Sequence, residues 1–162
     1  QRGIENFTVL IVGDGAASPS LENLASQSSA TEHFIFTGRV PHEEVESYYS
    51  LIDIAPFPRL SLPVTEMVSP LKPFEAMAME KLVIASDVAA LEEIVNHEVT
   101  GLLFKKDDVN SLTDALELGI SNSNLRNRLG KQAREWVKAE RDWPILAKRI
   151  TDLYESLTNT ND

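Results

Sequence analysis

Cysteine is absent from this 162-residue sequence, which excludes disulfides and thiolate metal sites. Long apolar runs are absent too, since none approaches the roughly 20 residues that a helix needs to cross a bilayer. The lack of cysteine is compatible with a cytoplasmic location, which we expect for this chain.

Positive charge is scarce, and the formal net charge of −10 argues against a general nucleic-acid binder. Residues 121–150 are the exception, with eight Lys and Arg against three Asp and Glu. Four of these cations fall at helical spacing on one stripe: Arg128, Lys131, Arg134 and Lys138. A solvated helix face explains this basic stripe, and the alternative is electrostatic contact with a partner or with the inner face of a membrane.

Apolar strand patterns alternate with helical patterns, which predicts an α/β fold with a Rossmann-like, mostly parallel sheet and helices on both faces. The expected strands are residues 7–12, 33–37, 52–56, 82–85 and 99–104. The expected helices are residues 18–28, 42–50, 71–79, 107–118, 124–138 and 143–157, with a further one that follows residues 86–87 and ends near Val95. In the last helix, the residues expected to face inward are Ile145, Ile150, Leu153 and Leu157. We expect one domain, residues 1–157, and a disordered tail, residues 158–162.

The helix at 71–79 and its approach carry most of the functional signal. Pro73 fits only in a helix's first turn, and Leu71, Phe74 and Ala78 recur at a spacing that gives the helix a core face. The preceding residues 57–69 show no helix or strand pattern, and an unstructured loop of this length inside a domain is usually functional.

Charged side chains near the start of this helix suggest a ligand site. A helix start offers N–H groups and partial positive charge to a phosphate, and Lys72 adds a full charge there. Glu75, on the same edge as Lys72, can accept hydrogen bonds from sugar or ribose hydroxyls, while Glu66 lies in the loop before the helix. The alternative is an ordinary loop–helix–strand unit whose Lys and Glu are solvated.

A second candidate site follows the first strand, where Gly13, Asp14 and Gly15 lead into a helix. Strand, glycine turn and helix is how phosphate-binding units begin, although Ser18 stands where a dinucleotide fingerprint has its third small residue. Arg39, after the second strand, either reaches a phosphate or faces solvent.

Residues 74–78, 83–87 and 92–95 resemble the donor-binding segment of retaining glycosyltransferases of family 4, which have the GT-B architecture of two facing Rossmann-like domains. The resemblance extends over about residues 7–157. It implies that the chain is part of the C-terminal donor-binding domain of a GT-B enzyme. The first strand–helix unit of that domain and the N-terminal acceptor domain are missing, and we expect self-association through the exposed edge strand.

The resemblance also assigns residues to roles. Glu75 takes the position that holds the donor's ribose, and Glu66 and Lys72 are the predicted catalytic residues. The predicted donor-binding residues are Gly13, Asp14, Gly15, Arg39, Val40, Ser69, Leu71 and Glu75. Glu66 lies one place before Met67, which holds the usual position of the family's first Glu, so contact of Glu66 with the sugar requires a one-residue bulge. Glu80 replaces the family's turn glycine and is strained if that turn requires positive φ.

The implied activity is transfer of a hexose from a nucleoside-diphosphate sugar to a glycan or lipid-linked acceptor. It requires neither a metal nor another cofactor, and we expect the chain alone to be inactive. Alternatives with a related fold are a nucleotide-sugar epimerase, a dehydrogenase-type nucleotide binder and a non-enzymatic receiver-like module with Asp53 as phosphoacceptor.

Overall fold

A computed structural model of the chain describes residues 3–158. These residues form two compact units, an N-terminal unit that ends at Ile52 and a C-terminal unit that begins at Asp53. Each unit contains parallel strands together with helices, which confirms the α/β class predicted from the sequence.

The N-terminal unit has a two-stranded parallel sheet. Its elements are β1 (Val9–Val12), α1 (Ser18–Ser26), β2 (Phe34–Gly38) and α2 (Val45–Leu51), with short 3₁₀ turns at Thr31–His33 and His42–Glu44. The strands meet just past their carboxyl ends, where the N–H of Gly13 donates to the carbonyl of Gly38 at 2.9 Å. Both glycines have positive φ, +127° and +66°, a conformation that residues with a Cβ rarely adopt.

The C-terminal unit has a three-stranded parallel sheet in the order β3-β4-β5. The strands are β3 (Ile54–Phe57), β4 (Leu82–Ser86) and β5 (Leu102–Phe104). Every residue of the central strand β4 is buried, as expected for a short apolar run covered on both faces.

Six helices belong to the C-terminal unit as described: α3 (Pro63–Met67), α4 (Lys72–Ala78), α5 (Ala89–Glu92), α6 (Val109–Ser121), α7 (Ser123–Glu140) and α8 (Trp143–Thr158). Side-chain hydrogen bonds cap the N-termini of two long helices, α6 and α7. The carboxylate of Asp108 accepts from the N–H groups of Asn110 and Ser111 at 3.0 Å, and the side-chain oxygen of Asn122 accepts from the N–H of Leu125 at 2.9 Å.

One core cluster holds the sheet against α6 and α7. Its buried members are Leu82, Ile84, Leu102, Phe104, Ala115 and Leu129. Burying a single large aliphatic side chain contributes about 1.5–3 kcal/mol, so this cluster is a major source of the unit's stability. The core therefore fixes the positions of the strand ends, from which the polar loops emerge.

The structure corrects the prediction that residues 57–69 contain no secondary structure, because Phe57 ends β3 and α3 lies in the middle of the segment. Pro63 at the first position of α3 has its φ already set for a helix. The N–H of Leu62 donates to the hydroxyl of Thr65 at 2.9 Å, which closes the first turn. The helix stops before Ser69, since a residue that precedes proline disfavours the helical conformation.

The predicted core face of α4 was wrong by a rotation about the helix axis. The buried residues are Pro73, Ala76 and Met77. Of the predicted face, Phe74 is half-buried and stacks on Trp136, whereas Leu71 is 69% exposed and Ala78 is also exposed. Both sets show the three- and four-residue spacing of a helix face. The spacing alone therefore could not choose between them.

The predicted inward face of α8 was also wrong, because the structure describes this whole helix and none of its residues is buried. Ile145 is half-buried, whereas Ile150, Leu153 and Leu157 are 57%, 59% and 60% exposed. Apolar spacing indicates an amphipathic helix but does not supply a surface for it to cover. Thr158 is still helical, and the remainder of the predicted tail lies outside the described residues.

Candidate functional site

The carboxyl ends of the three parallel strands in the C-terminal unit lie at one edge of the sheet, the edge at which α/β proteins bind ligands. Hydrogen bonds join the loops that leave this edge. The N–H of Arg59 donates to the hydroxyl of Ser86 at 3.1 Å, and the N–H of Asp87 donates to the carbonyl of Phe104 at 2.9 Å. The loops after β3, β4 and β5 are thus connected directly to one another.

Glu66, at the end of α3, accepts three hydrogen bonds at this edge. Its Oε1 accepts from the hydroxyl of Ser61 and from the ammonium of Lys106, each at 2.6 Å. Its Oε2 accepts from the N–H of Ala89 at 2.7 Å. The carboxylate therefore ties the loop after β3 to the start of α5 and to the loop after β5, and we call this arrangement the Glu66 clasp.

The clasp changes the acidity of both charged groups. The hydrogen bond from Lys106, followed by those from Ser61 and Ala89, lowers the pKa of Glu66 from 4.5 to about 2. The same contact with Glu66 raises the pKa of Lys106 above its usual 10.5. Glu66 therefore stays ionised at physiological pH, which suits it to electrostatic stabilisation or hydrogen-bond acceptance rather than to proton transfer.

The loop after β5 is itself held in place. The N–H of Lys106 donates to Oδ1 of Asp87 at 2.6 Å, and Oδ1 of Asp107 accepts from the N–H of Ser61 at 3.2 Å. Asp107 has a φ of +60°, a left-handed conformation that Asp tolerates better than most residues. Both ends of the Lys106–Glu66 contact thus belong to anchored segments.

The predicted phosphate-binding residues lie next to this edge in sequence. Ser69, Leu71, Lys72 and Glu75 are all exposed, and Leu71 is the N-cap residue of α4. Since α4 follows the loop from the carboxyl end of β3, its first turn starts on the ligand-binding side of the sheet. Their roles as donor ligands remain a prediction.

In the N-terminal unit, Asp14, Gly15 and Arg39 are exposed and Val40 is half-buried. The amide of Gly13 already donates to Gly38, so in this conformation Gly13 contributes the shape of the turn rather than a free N–H group. Donor binding by all five residues remains a prediction.

Three of the four cations of the basic stripe have partners within the chain. Arg134 pairs with Glu80 at 3.2 Å, Arg128 donates to the carbonyl of Glu98 at 3.2 Å, and Lys138 lies 3.8 Å from Glu135. These contacts are those of a solvated helix face. Membrane contact by the stripe remains a prediction.

Residues 3–158 contain neither a cluster of metal-binding side chains nor a membrane-spanning helix. No group of three or more His, Cys, Asp or Glu side chains within that range is placed to hold a metal ion. None of the helices in the same range is both long enough and apolar enough to cross a membrane. The expectation that activity requires no metal remains a prediction.

Sequence reasoning missed the partners of Glu66. Lys106 and Ser61 are 40 and 5 residues away from it, and no motif connects the three. One available signal was that the Lys105–Lys106 pair directly follows the last strand, at the edge where loops of a parallel sheet converge.

The family described as "Glycosyl transferases group 1" matches residues 1–136 of the chain. Among curated relatives, the GDP-mannose-dependent alpha-(1-6)-phosphatidylinositol monomannoside mannosyltransferase of Mycobacterium tuberculosis is 29% identical over 94% of the chain and 40% of its own length. The alpha-D-kanosaminyltransferase of Streptomyces kanamyceticus is 23% identical over 91% of the chain and 37% of its own length. The chain thus spans about 40% of the length of the curated relatives it matches.

Solved structures also resemble the chain over about 40% of their own length. The sucrose-phosphate synthase of Thermosynechococcus elongatus superposes with a TM-score of 0.80 and 31% identity, over 94% of the chain and 39% of the synthase's own length. The structure of Anabaena Alr3699/HepE in complex with UDP-glucose superposes with a TM-score of 0.77 at 19% identity, over 92% of the chain and 41% of its own, and at that identity it shows the fold alone.

Proposed function

The chain belongs to the glycosyl transferases group 1 family, and from that membership we propose that it is the nucleotide-sugar-binding portion of a retaining glycosyltransferase of family 4. The whole enzyme transfers a hexose from a nucleoside-diphosphate sugar to a glycan or lipid-linked acceptor. The chain covers about 40% of its relatives' length, which is consistent with an acceptor domain elsewhere in the enzyme.

One observation carries the proposal: Lys72 and Glu75 are both exposed, on a helix that begins at the carboxyl edge of the parallel sheet. A cation beside the first turn of α4 suits a diphosphate, and a carboxylate one turn further along suits the hydroxyls of a ribose. The burial of Pro73, Ala76 and Met77 on the other side of the helix keeps both side chains facing outward.

In the proposed mechanism, the bond between the anomeric carbon of the sugar and the diphosphate oxygen breaks, and the diphosphate leaves with the electron pair. The sugar then has oxocarbenium character until the acceptor hydroxyl attacks from the same face, and the proton of that hydroxyl passes to the departing diphosphate. Lys72 with the amides of Ser69 and Leu71 stabilises the leaving group, and a well-placed donor of this kind is worth about 3–4 kcal/mol. The ionised carboxylate of Glu66 faces the positive charge that develops on the sugar.

The relatives do not agree on one donor. The mannosyltransferase from M. tuberculosis is described as GDP-mannose-dependent, and the Anabaena structure contains UDP-glucose. The donor of this chain must therefore be identified by experiment rather than by likeness.

The test is a titration of the chain with UDP, GDP and ADP, followed by thermal shift and calorimetry. We expect one nucleotide to bind, and Glu75→Ala to weaken that binding by about tenfold or more, as for loss of hydrogen bonds to a charged group. Glu46→Ala is the matched control, because Glu46 also lies exposed in the first turn of a helix. Failure of all three nucleotides to bind would contradict the proposal.

The alternatives predict different results. A receiver-like module depends on Asp53, which precedes β3 and so lies at the amino end of the strand, away from the ligand-binding edge. An epimerase of the same architecture would interconvert sugar nucleotides once its other half is supplied. We expect the chain alone to transfer no sugar, and measurable transfer by it would contradict the assignment of the acceptor site to another domain.

A further inference from the structure

We propose that Lys106 is a positioning residue, which holds the Glu66 carboxylate at the carboxyl edge of the sheet so that one acceptor site stays open for a hydroxyl of the donor sugar. The inference rests on the proposed function, because it needs a nucleotide-sugar whose sugar reaches this edge. It adds to that function a residue outside the predicted site.

The hydrogen bonds of Glu66 leave room for one more donor. An ionised carboxylate offers about four acceptor positions on its two oxygens. Ser61 and Lys106 fill those of Oε1, and the N–H of Ala89 takes one of those of Oε2. The side chain of Glu66 is 24% exposed, so solvent reaches it, and the remaining position of Oε2 is the one that we assign to a sugar hydroxyl.

Lys106 differs from the other two donors because it is charged. Charge-assisted hydrogen bonds are roughly twice as strong as neutral ones, so Lys106 contributes most to holding the carboxylate in one orientation. Neither Ser61 nor the N–H of Ala89 compensates the negative charge of Glu66. The pKa of Glu66, lowered to about 2 with the Lys106 contact as its largest cause, agrees with this order.

The backbone around Lys106 explains why a flexible side chain can position another group. Fixing a lysine side chain costs rotamer entropy, and a mobile backbone would add to that cost. The hydrogen bonds from the N–H of Lys106 to Asp87 and from the N–H of Ser61 to Asp107 hold both loops. The Lys106 side chain therefore extends from an anchored backbone, and it is 36% exposed rather than buried in the core.

The first experiment measures the pKa of Glu66 in the absence of any ligand. The ¹³C carboxyl resonance of Glu66 is followed against pH in the wild-type chain, in Lys106→Met and in Lys105→Met. We expect Glu66 to remain ionised down to about pH 3 in the wild type and in Lys105→Met, and to titrate at a clearly higher pH in Lys106→Met, which lacks the contact that lowers its pKa most. Equal titration in all three chains would overturn the inference.

The second experiment asks whether the carboxylate contacts the sugar. UDP is compared with UDP-glucose, and GDP with GDP-mannose, by calorimetry on the same three chains. We expect the wild type to bind the sugar nucleotide more tightly than the plain nucleotide. In Lys106→Met the affinity for the sugar nucleotide should fall about tenfold, while the affinity for the plain nucleotide is unchanged. Lys106→Arg, which keeps the charge, should restore part of the advantage.

The results separate the two proposals. If the wild-type chain binds none of UDP, GDP and ADP, the proposed function fails and the positioning role fails with it. If the wild type prefers the sugar form and Lys106→Met keeps that preference while losing thermal stability, Lys106 is structural only. In that case the inference alone is overturned.

Discussion

The backbone oxygen of Glu80 lies 2.1 Å from the place where a Cβ on Gly130 would be. Glu80 follows α4 in the turn before β4, and Gly130 lies in the middle of α7. The two segments approach so closely because Gly130 has no side chain. This contact places α7 against the turn that connects α4, the helix of the proposed donor site, to the central strand.

Gly130→Ala should therefore destabilise the chain by about 2–3 kcal/mol, as expected when extra atoms are forced against backbone that cannot give way. The change is measured as the free energy of unfolding in urea. Gly119→Ala in α6 is the matched control, since its Cβ would meet only side-chain methyl groups at 3.0–3.3 Å. The better helix propensity of Ala offsets that milder crowding, so the control should change by less than about 1 kcal/mol.

Replacing Glu80 with glycine should stabilise the chain. Its φ of +57° is strained for a residue with a Cβ, by roughly 1 kcal/mol, as the sequence predicted from the missing turn glycine. Its pair with Arg134 is about 40% exposed on both sides and worth at most about 1 kcal/mol. We expect Glu80→Gly to raise the free energy of unfolding by about 0.5 kcal/mol.

A second variant separates the two effects at Glu80. Glu80→Gln removes the ion pair but keeps the strained backbone, so it should lower the free energy of unfolding slightly, by less than about 0.5 kcal/mol. If Glu80→Gly destabilised the chain as much as Glu80→Gln does, the ion pair rather than the backbone strain would decide the stability of this turn.

Leu153 in α8 has the spacing of a core residue but is exposed in the structure, so we expect its removal to cost little stability. Leu129→Ala in α7 should cost about 2–5 kcal/mol, because Leu129 is fully buried. Leu153→Ala should cost less than about 0.5 kcal/mol, because Leu153 is 59% exposed. Urea unfolding of both variants at one pH measures the contrast, and equal losses would mean that α8 is packed against the chain in solution.

Much of the fold was predictable because the strongest sequence patterns have a single structural solution. The apolar run of β4 has to be buried, and the prolines near α4 have to lie at its start. Helix faces were less predictable, because Leu71 and Met77 both belong to sets with helical spacing. Only the packing of the neighbouring elements decides which set is buried.

The parts of the candidate site that are formed by residues close together in sequence were predictable. Lys72 and Glu75 are three residues apart, so their shared helix edge follows from their spacing. The Glu66 clasp joins residues that are up to 40 positions apart. Such contacts depend on which loops the strand order brings together, and the sequence pattern does not give that order.

The acidity of Glu66 predicts how the stability of the chain depends on pH. Its pKa is lower in the folded chain, about 2, than the ordinary 4.5 expected after unfolding. A carboxylate of this kind contributes stability that is complete above about pH 4.5 and is lost as the pH falls toward 2. The free energy of unfolding should therefore decrease between pH 5 and pH 3 in the wild type, and less steeply in Glu66→Gln, whose amide cannot be protonated in this range.

Glu93→Gln is the control for this prediction, because Glu93 is an exposed carboxylate outside the clasp. It should keep the wild-type dependence on pH. Lys106→Met should instead fall between the wild type and Glu66→Gln, because without the ammonium the pKa of Glu66 rises toward its unfolded value and the linkage to pH weakens. A wild-type slope in Lys106→Met would mean that Ser61 and the N–H of Ala89 are enough to keep the carboxylate ionised, and that the loop after β5 contributes little to this edge of the sheet.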